Sequence, residues 1–150
     1  MSSILLEKAV DARVQEFKDG TPTAEDAARA VGCELAQIVK SLVFVCDGAY
    51  VLALVPGDRR ADEEKVAAAV GAHTVRIARA HEVLHATGFE PGAVAPFPQR
   101  AVARAVMDRT LLQHKQVWIG AGSSAHMAAV APVDLQRLAG ARAFDLLAHG

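Results

Sequence analysis

The chain has 150 residues, of which 52 % are hydrophobic, and its formal net charge is −1. This length and composition suit one compact domain and exclude a disordered chain. No apolar run reaches the roughly 18 residues that span a bilayer, and the N-terminus lacks the features of a signal peptide, so we expect a cytoplasmic protein. The net charge argues against bulk electrostatic binding to nucleic acid, but it allows contact with a few phosphates or with a nucleic-acid end.

The predicted elements mix short helices with short strands along the whole chain. In order, the patterning predicts a helix ending near 11, a strand at 14–17, a helix over 23–32, and strands at 37–45 and 50–55. A helix over 62–70, a strand at 74–77, a helix over 80–86, strands at 101–107, 117–121 and 126–130 and a helix over 132–138 follow, and residues 143–147 finish the sheet or the edge of the fold. The Asp47-Gly48 pair between two apolar runs is typical of a hairpin turn. We therefore predict one α+β domain over residues 1–150, with a mixed, mostly antiparallel and barrel-like sheet flanked by helices.

The two cysteines, Cys33 and Cys46, are interpreted as small core residues. The first follows a predicted helix end and the second closes an apolar strand. A cytoplasmic protein needs no disulfide between them.

Lys40 interrupts the most apolar stretch of the chain, residues 38–45. The β-branched, aromatic and aliphatic residues of this stretch are typical of a buried strand. A buried ammonium group must reach solvent, pair with an anion or lose its proton, because an unpaired buried charge is very costly. Two interpretations follow: the lysine lies at a strand entrance with its head in water, or it points into a pocket for an anionic or carbonyl ligand. The hairpin topology brings Asp58 and Arg59 towards it, where they either orient the lysine or form an exposed turn.

Residues 81–85 read H-E-x-x-H, a zinc-peptidase pattern in which His81 and His85 would be ligands and Glu82 the general base. The position of a third histidine ligand is Pro91, which cannot bind metal, and the predicted helix is short. The alternative interpretation is a surface helix with two ordinary histidines.

Two further segments could border a site. Residues 89–98 contain three prolines and predict a rigid, packed loop without regular structure. The glycine-rich segment with Gly120, Gly122 and Ser123 is typical of a hairpin turn and not of a phosphate-binding loop, because no helix is predicted after it. Such a turn can form one wall of a pocket. His126, in the next strand, is either an ordinary core or rim histidine or a catalyst. No serine stands in a G-x-S-x-G elbow, so a hydrolase triad is not indicated.

Several segments, taken in order, resemble the family of YbaK and prolyl-tRNA synthetase-associated editing domains. They are residues 21–28 before Gly32, 37–44, 57–60, 87–96, 120–123 and 132–135. The segment around Lys40 and the G-x-x-x-P loop from Gly92 to Pro96 are the most specific. The resemblance covers residues 14–147 and implies the fold of that family.

The resemblance implies a free-standing aminoacyl-tRNA deacylase that hydrolyses the ester of a mischarged tRNA, typically proline tRNA carrying alanine, cysteine or a similarly small residue. It assigns catalysis to Lys40 and to Gly92 and Pro96, the ends of the G-x-x-x-P loop. Backbone N–H groups of such a loop can stabilise the carbonyl, and the lysine can neutralise developing charge or hold the terminal adenosine or its phosphate. A ribose hydroxyl or a cysteine thiol of the substrate can help deliver the nucleophile, so neither a cofactor nor a metal is expected.

The resemblance further implies a small apolar pocket for the aminoacyl group, with walls from Val39, Leu42, Val94 and Met127. The other substrate-binding candidates are Thr23, Ser41, Asp58, Arg59, Ala93, Ala95, Gly120, Gly122, Ser123 and His126. The expected partners are the acceptor end of a mischarged tRNA and a prolyl-tRNA synthetase, with neither DNA nor a membrane involved. Two alternatives from other classes are a non-catalytic module that binds aminoacyl-tRNA ends or a small ligand, and a zinc peptidase.

Overall fold

The computed structural model of the chain describes residues 12–16, 28–29, 32–88, 96, 101–120 and 126–148; of 12–16, 120, 126 and 127 it describes the backbone alone. Its strands are β1 (Ala12–Glu16), β2 (Val39–Cys46), β3 (Ala49–Pro56), β4 (Val75–Ile77), β5 (Val102–Asp108), β6 (Val117–Gly120), β7 (His126–Val130) and β8 (Arg142–Phe144). Its α-helices are α1 (Glu63–Val70), α2 (Ala80–Thr87) and α3 (Pro132–Ala139), and Leu35–Gln37 and Arg109–Gln113 are 3-10 turns.

Strands β2 and β3 form the predicted hairpin. At its turn, Asp47 and Gly48 have φ of 50° and 81°, the left-handed conformations that a two-residue type I′ turn requires. The Asp47 carboxylate accepts hydrogen bonds from the N–H groups of His73 and Thr74 at 3.0 and 2.8 Å. These bonds tie the hairpin to the chain that enters β4, which pairs antiparallel with the end of β2.

The strands form two sheets. The larger has the order β4-β2-β3-β5-β8, in which β3–β5 and β5–β8 are parallel and the other pairs antiparallel. The smaller is antiparallel, in the order β1-β7-β6. A parallel bridge between Ile38 and Trp118 links them. The predicted α+β class with a mixed, mostly antiparallel sheet is confirmed, and in the described residues the strands form two linked sheets, not a closed barrel.

Local capping signals set the helix ends, as the sequence predicts. The Asp62 carboxylate accepts from the N–H of Glu64 at 2.9 Å, and Gly71 ends α1 with φ of 70°. Pro132 opens α3 in its first turn. Of the helix predicted over 23–32, residues 28 and 29 are described as helical. Residues 23–27 and 30–31, and the predicted N-terminal helix up to residue 11, lie outside the described residues.

The larger sheet is buried on both faces. One face packs against β6, β7, α2 and α3, in a core that includes Leu52, Leu54 and Met107. The other face packs against α1 and the C-terminal chain, through Val66 and Leu146. Strand β3 is therefore central to the domain, and the loop that follows it starts from a fixed position. No helix of the described residues is long and apolar enough to cross a membrane.

Candidate active site

Lys40 lies near the start of β2, where its side chain is half-buried. Its Nζ donates a hydrogen bond to the carbonyl oxygen of Arg59 at 2.7 Å. Strand alternation puts Lys40 on the same face as Ile38 and Leu42. The apolar stem therefore runs along a largely buried face, while the ammonium group reaches the polar loop at the end of the hairpin.

The loop after β3 lies against Lys40 and presents polar groups there. The Arg59 N–H donates to the Pro56 carbonyl at 3.2 Å, which makes a tight turn. The side chains of Asp58 and Arg59 are exposed. The Arg59 guanidinium donates to the carbonyl of Ala148 at 3.1 Å. The hairpin topology thus brings this loop to the lysine as predicted, and Arg59 meets Lys40 through its backbone carbonyl while its side chain points to the C-terminal chain.

The parallel strands β3, β5 and β8 all end on the side of the sheet where β2 begins. Asp108, the last residue of β5, is fully buried there and accepts a hydrogen bond from the N–H of Leu146 at 2.9 Å. It also accepts hydrogen bonds from the N–H and the hydroxyl of Thr110. Its carboxylate therefore connects the end of β5 to the chain that follows β8. The sequence gives no short-range signal for this arrangement, because Asp108 and Leu146 are 38 residues apart.

Strand β6 is linked to the chain just before Lys40. The amide nitrogen of the Gln37 side chain donates to the Gln116 carbonyl at 3.2 Å, and the parallel bridge joins Ile38 to the residue two positions further, Trp118. The start of β2 and strand β6 are therefore joined just before Lys40. The role of Gly120, the last residue of β6, in the site stays a prediction.

The three predicted pocket residues that flank Lys40 do not share one face. Val39 is only 8 % exposed and packs in the core with β6, β7 and α3. Ser41 is half-buried and lies on the same face as Val39 by alternation. Leu42 is half-buried on the face of Lys40 and packs against the core under α1. Of the three, only Leu42 is placed beside the lysine stem, and the role of each in substrate binding stays a prediction.

The backbones of His126 and Met127 pair with β1 and with Gly120, respectively, at the start of β7. Pro96 is buried, as a packed loop predicts. The N–H of Ala101 donates to the carbonyl of Ala86 at 3.1 Å, so the segment that carries Pro96 starts and ends next to α2. The other predicted site residues lie outside the described residues: Thr23, Gly92, Ala93, Val94, Ala95, Gly122 and Ser123.

The H-E-x-x-H residues lie on α2, where Glu82 has a structural role. Its carboxylate accepts two hydrogen bonds from the Arg76 guanidinium at 2.6 and 2.8 Å and one from the Arg79 N–H at 2.9 Å. These bonds lower the pKa of Glu82 to about 2, and those from Arg76 have the largest effect. His81 and His85 are exposed, and the His85 ring lies 6.2 Å from that of Tyr50. Within the described ranges no three His, Cys, Asp or Glu side chains are grouped so as to hold a metal ion.

The two cysteines are free thiols. Cys46 is buried in the core under α1, and Cys33 is half-buried. Burial raises the pKa of both thiols, which disfavours the reactive thiolate. Cys46 is a core residue as predicted, and Cys33 packs at the edge of the cluster that contains Ile38 and Trp118.

Comparison with protein families matches the chain to an aminoacyl-tRNA editing domain over residues 18–138. A proline–tRNA ligase of Xanthomonas oryzae pv. oryzae is 35 % identical over 109 residues, which are 72 % of this chain and 19 % of the ligase. The chain thus spans less than a fifth of that relative. The uncharacterized protein YwhH of Bacillus subtilis is 32 % identical over 123 residues, which are 81 % of this chain and 78 % of YwhH.

Among solved structures, a candidate trans-editing enzyme for prolyl tRNA synthetase is similar to this chain with a TM-score of 0.90 and 36 % identity. The match covers 99 % of this chain and 94 % of that one. The similarity therefore extends to the whole arrangement of sheets and helices around Lys40.

Proposed function

The chain belongs to the aminoacyl-tRNA editing domain family, and on that premise we propose that it is a free-standing deacylase that hydrolyses the ester of mischarged aminoacyl-tRNA. The observation that carries the proposal is the half-buried Lys40, whose ammonium group is held at the end of the sheet by the Arg59 carbonyl. Two similar proteins match along 78 % and 94 % of their own lengths, which supports a domain that acts by itself. Residues 1–150 then form one editing domain that works in the cytoplasm, where aminoacyl-tRNA is used.

Ester hydrolysis needs a held carbonyl, stabilisation of the developing oxyanion and a placed nucleophile. Lys40 supplies a positive charge whose position is restrained by its hydrogen bond to Arg59. It neutralises the charge that develops on the ester, or holds the terminal adenosine or its phosphate. Gly92 and Pro96 border the loop whose N–H groups would donate to the aminoacyl carbonyl. The nucleophile is a water molecule, delivered with the help of a ribose hydroxyl or a cysteine thiol of the substrate.

The substrate we propose is proline tRNA carrying alanine, cysteine or another small residue. Support comes from the similarity to proline–tRNA ligases and to a candidate trans-editing enzyme for prolyl tRNA synthetase. Val94 and Met127 would form the pocket for the small side chain, and Leu42 would support the lysine stem from the side of α1. One methylene in such a pocket changes binding by only about 1–3 kcal/mol, so alanine and cysteine should both be accepted.

The proposed partners are the acceptor end of the tRNA and a prolyl-tRNA synthetase. The exposed Arg60 follows the residue whose carbonyl holds Lys40, and its side chain can contact acceptor-end phosphates. With a net charge of −1, the chain offers little bulk attraction to RNA. A synthetase that delivers or releases the mischarged tRNA would compensate for this.

The direct test is hydrolysis of proline tRNA charged with alanine, with cysteine or with proline, each with and without a chelator. We expect loss of the alanyl and cysteinyl esters, retention of the prolyl ester, and no effect of the chelator. Tight binding of these tRNAs without hydrolysis would instead indicate a non-catalytic binding module. Hydrolysis that stops on chelation would contradict the metal-free mechanism.

A further inference from the structure

We propose that residues 145–148, here called the C-terminal clasp, position Lys40 by fixing the loop whose Arg59 carbonyl holds the lysine. Arg59 and Lys65 are then positioning residues for the deacylation, and this inference rests on the proposed function. The clasp is 80 or more residues from Lys65 and Arg59 in sequence, yet it is bonded to both.

The first link joins Lys40 to the loop. The Arg59 carbonyl accepts the hydrogen bond from Lys40 Nζ at 2.7 Å. The loop itself is attached to β2 by a hydrogen bond from the Gly57 N–H to the Ile38 carbonyl at 2.7 Å. The orientation of the peptide unit at Arg59 therefore contributes to the position of the ammonium group.

The second link joins the loop to the clasp. The Arg59 guanidinium donates to the Ala148 carbonyl at 3.1 Å, and the Ala148 N–H donates to the Arg60 carbonyl at 2.9 Å. An antiparallel bridge pairs Ala61 with Leu147. These contacts form a short two-stranded ladder that starts at Arg60. The peptide unit between Arg59 and Arg60, which carries the Arg59 carbonyl, is therefore restrained by the ladder on one side and by the Arg59 side chain on the other.

The third link joins the clasp to the body of the domain. Lys65 Nζ, on α1, donates to the Leu147 carbonyl at 2.6 Å and to the Asp145 carboxylate at 3.0 Å. The Leu146 N–H donates to the buried Asp108. Leu146 and Leu147 are 0 % and 5 % exposed, so the clasp is packed as well as bonded. The hydrogen bond from Lys65 also lowers the pKa of Asp145 below its ordinary value, so the carboxylate accepts this bond throughout the neutral pH range.

A clasp with this role affects chemistry more than binding. Small misplacement of a catalytic group lowers the rate of the chemical step strongly. The Lys65 ammonium is turned towards the clasp, so its loss should leave substrate affinity unchanged. By contrast, a residue that contacts RNA phosphates directly would change KM and the salt dependence of binding.

The test compares two variants that weaken the clasp at different points, on alanine-charged proline tRNA. Ala148→Pro removes the N–H that donates to Arg60, while Ala148→Ser keeps it; the bridged, extended Leu147 tolerates a following proline. Lys65→Met removes both donated hydrogen bonds, and Lys65→Arg restores a donor. We expect Ala148→Pro and Lys65→Met each to lower kcat about fivefold with KM unchanged, the order expected for one hydrogen bond.

Matched variants separate this role from a general loss of stability. Lys65→Arg and Ala148→Ser should recover most of kcat. Arg137→Met removes an ion pair of similar length, between Arg137 and Asp134 at 2.9 Å on α3, and should leave kcat unchanged. The double variant Ala148→Pro/Lys65→Met should lose less than the product of the single losses, because both act through one element.

A second readout does not depend on deacylation. Trace acetylation followed by mass spectrometry gives the reactivity of Lys40 relative to the exposed Lys115. We expect this ratio to rise about two- to fivefold in both clasp variants, because a weaker hydrogen bond to the Arg59 carbonyl leaves the Lys40 amine more reactive. If the wild-type protein hydrolyses no ester, the proposed function fails while this ratio still tests the clasp. An unchanged ratio, or a rise in KM at constant kcat, would overturn the clasp.

Discussion

The two ends of the β2–β3 hairpin use their charged residues in different ways. At the turn end, Glu82 pairs with Arg76 through two hydrogen bonds. The Asp47 carboxylate accepts hydrogen bonds from the N–H groups of the two residues before β4. A groove of about 360 Å³ lies there, lined by Val45, Gly48, Thr74, Val75 and Arg76. At the open end, Lys40 is held by a neutral carbonyl, so its charge is not cancelled by that bond. The carboxylate of the more conspicuous motif is used for structure, and the proposed site is built around Lys40.

The largest effect expected is the loss of deacylation in Lys40→Ala. Removing one charge-stabilising donor of this kind costs about 10²–10³-fold in kcat. The fold should stay intact because the lysine head lies outside the core. Single-turnover hydrolysis of alanine-charged proline tRNA measures the rate, and circular dichroism measures the fold. The matched control is Lys115→Ala, an exposed lysine that should keep the wild-type rate. Normal hydrolysis by Lys40→Ala would place the site elsewhere.

The next effect concerns the support of the open end. Asp108→Ala leaves the buried N–H of Leu146 without its acceptor and removes the bonds to Thr110. We expect a loss of about 3 kcal/mol in the free energy of unfolding. Urea denaturation measures it, with Asp134→Ala as the control: that carboxylate forms a surface pair with Arg137 and should cost about 0.5 kcal/mol. Equal losses in the two variants would contradict the role given to Asp108.

A smaller, pH-dependent effect is expected at the turn end. The pKa of Glu82 is lowered from its ordinary value of 4.5 to about 2, so its ionised form stabilises the fold above pH 4.5. This contribution falls as the pH drops through that range towards 2. Arg76→Gln should therefore lower the melting temperature at pH 7, and the difference from wild type should shrink by pH 2. Arg137→Gln, which breaks a pair on α3, is the control. A difference that stays constant with pH would show that Glu82 does not depend on Arg76.

The smallest effect is expected for the two histidines of α2. His81→Ala/His85→Ala should deacylate at the wild-type rate, with or without a chelator, because both side chains are exposed and Glu82 is engaged by Arg76. Hydrolysis rates measured in parallel with the wild type check this. A large loss would revive a metal or acid–base role for the motif.

Local signals predicted much of the fold. The turn at Asp47-Gly48, the cap at Asp62 and the stop at Gly71 each depend on residues close in sequence, and all three are confirmed. The parallel pairing of β3, β5 and β8 was not predicted, because the choice of a strand's partner depends on packing between distant segments.

The site was predictable in part. The hairpin register placed the loop containing Arg59 near Lys40 from sequence alone. The faces of Val39 and Leu42 could have been separated by strand alternation, since three positions apart means opposite faces. The clasp could not have been predicted, because its contacts join residues such as Lys65 and Asp145, which are 80 positions apart.

The single-turnover rates of Lys40→Ala and of Glu82→Gln, measured side by side on alanine-charged proline tRNA, show which end of the hairpin carries the chemistry. The Lys40 variant should lose about 10²–10³-fold, and the Glu82 variant should keep the wild-type rate. A Glu82 variant that loses activity while the Lys40 variant keeps it would contradict the assignment of the two ends.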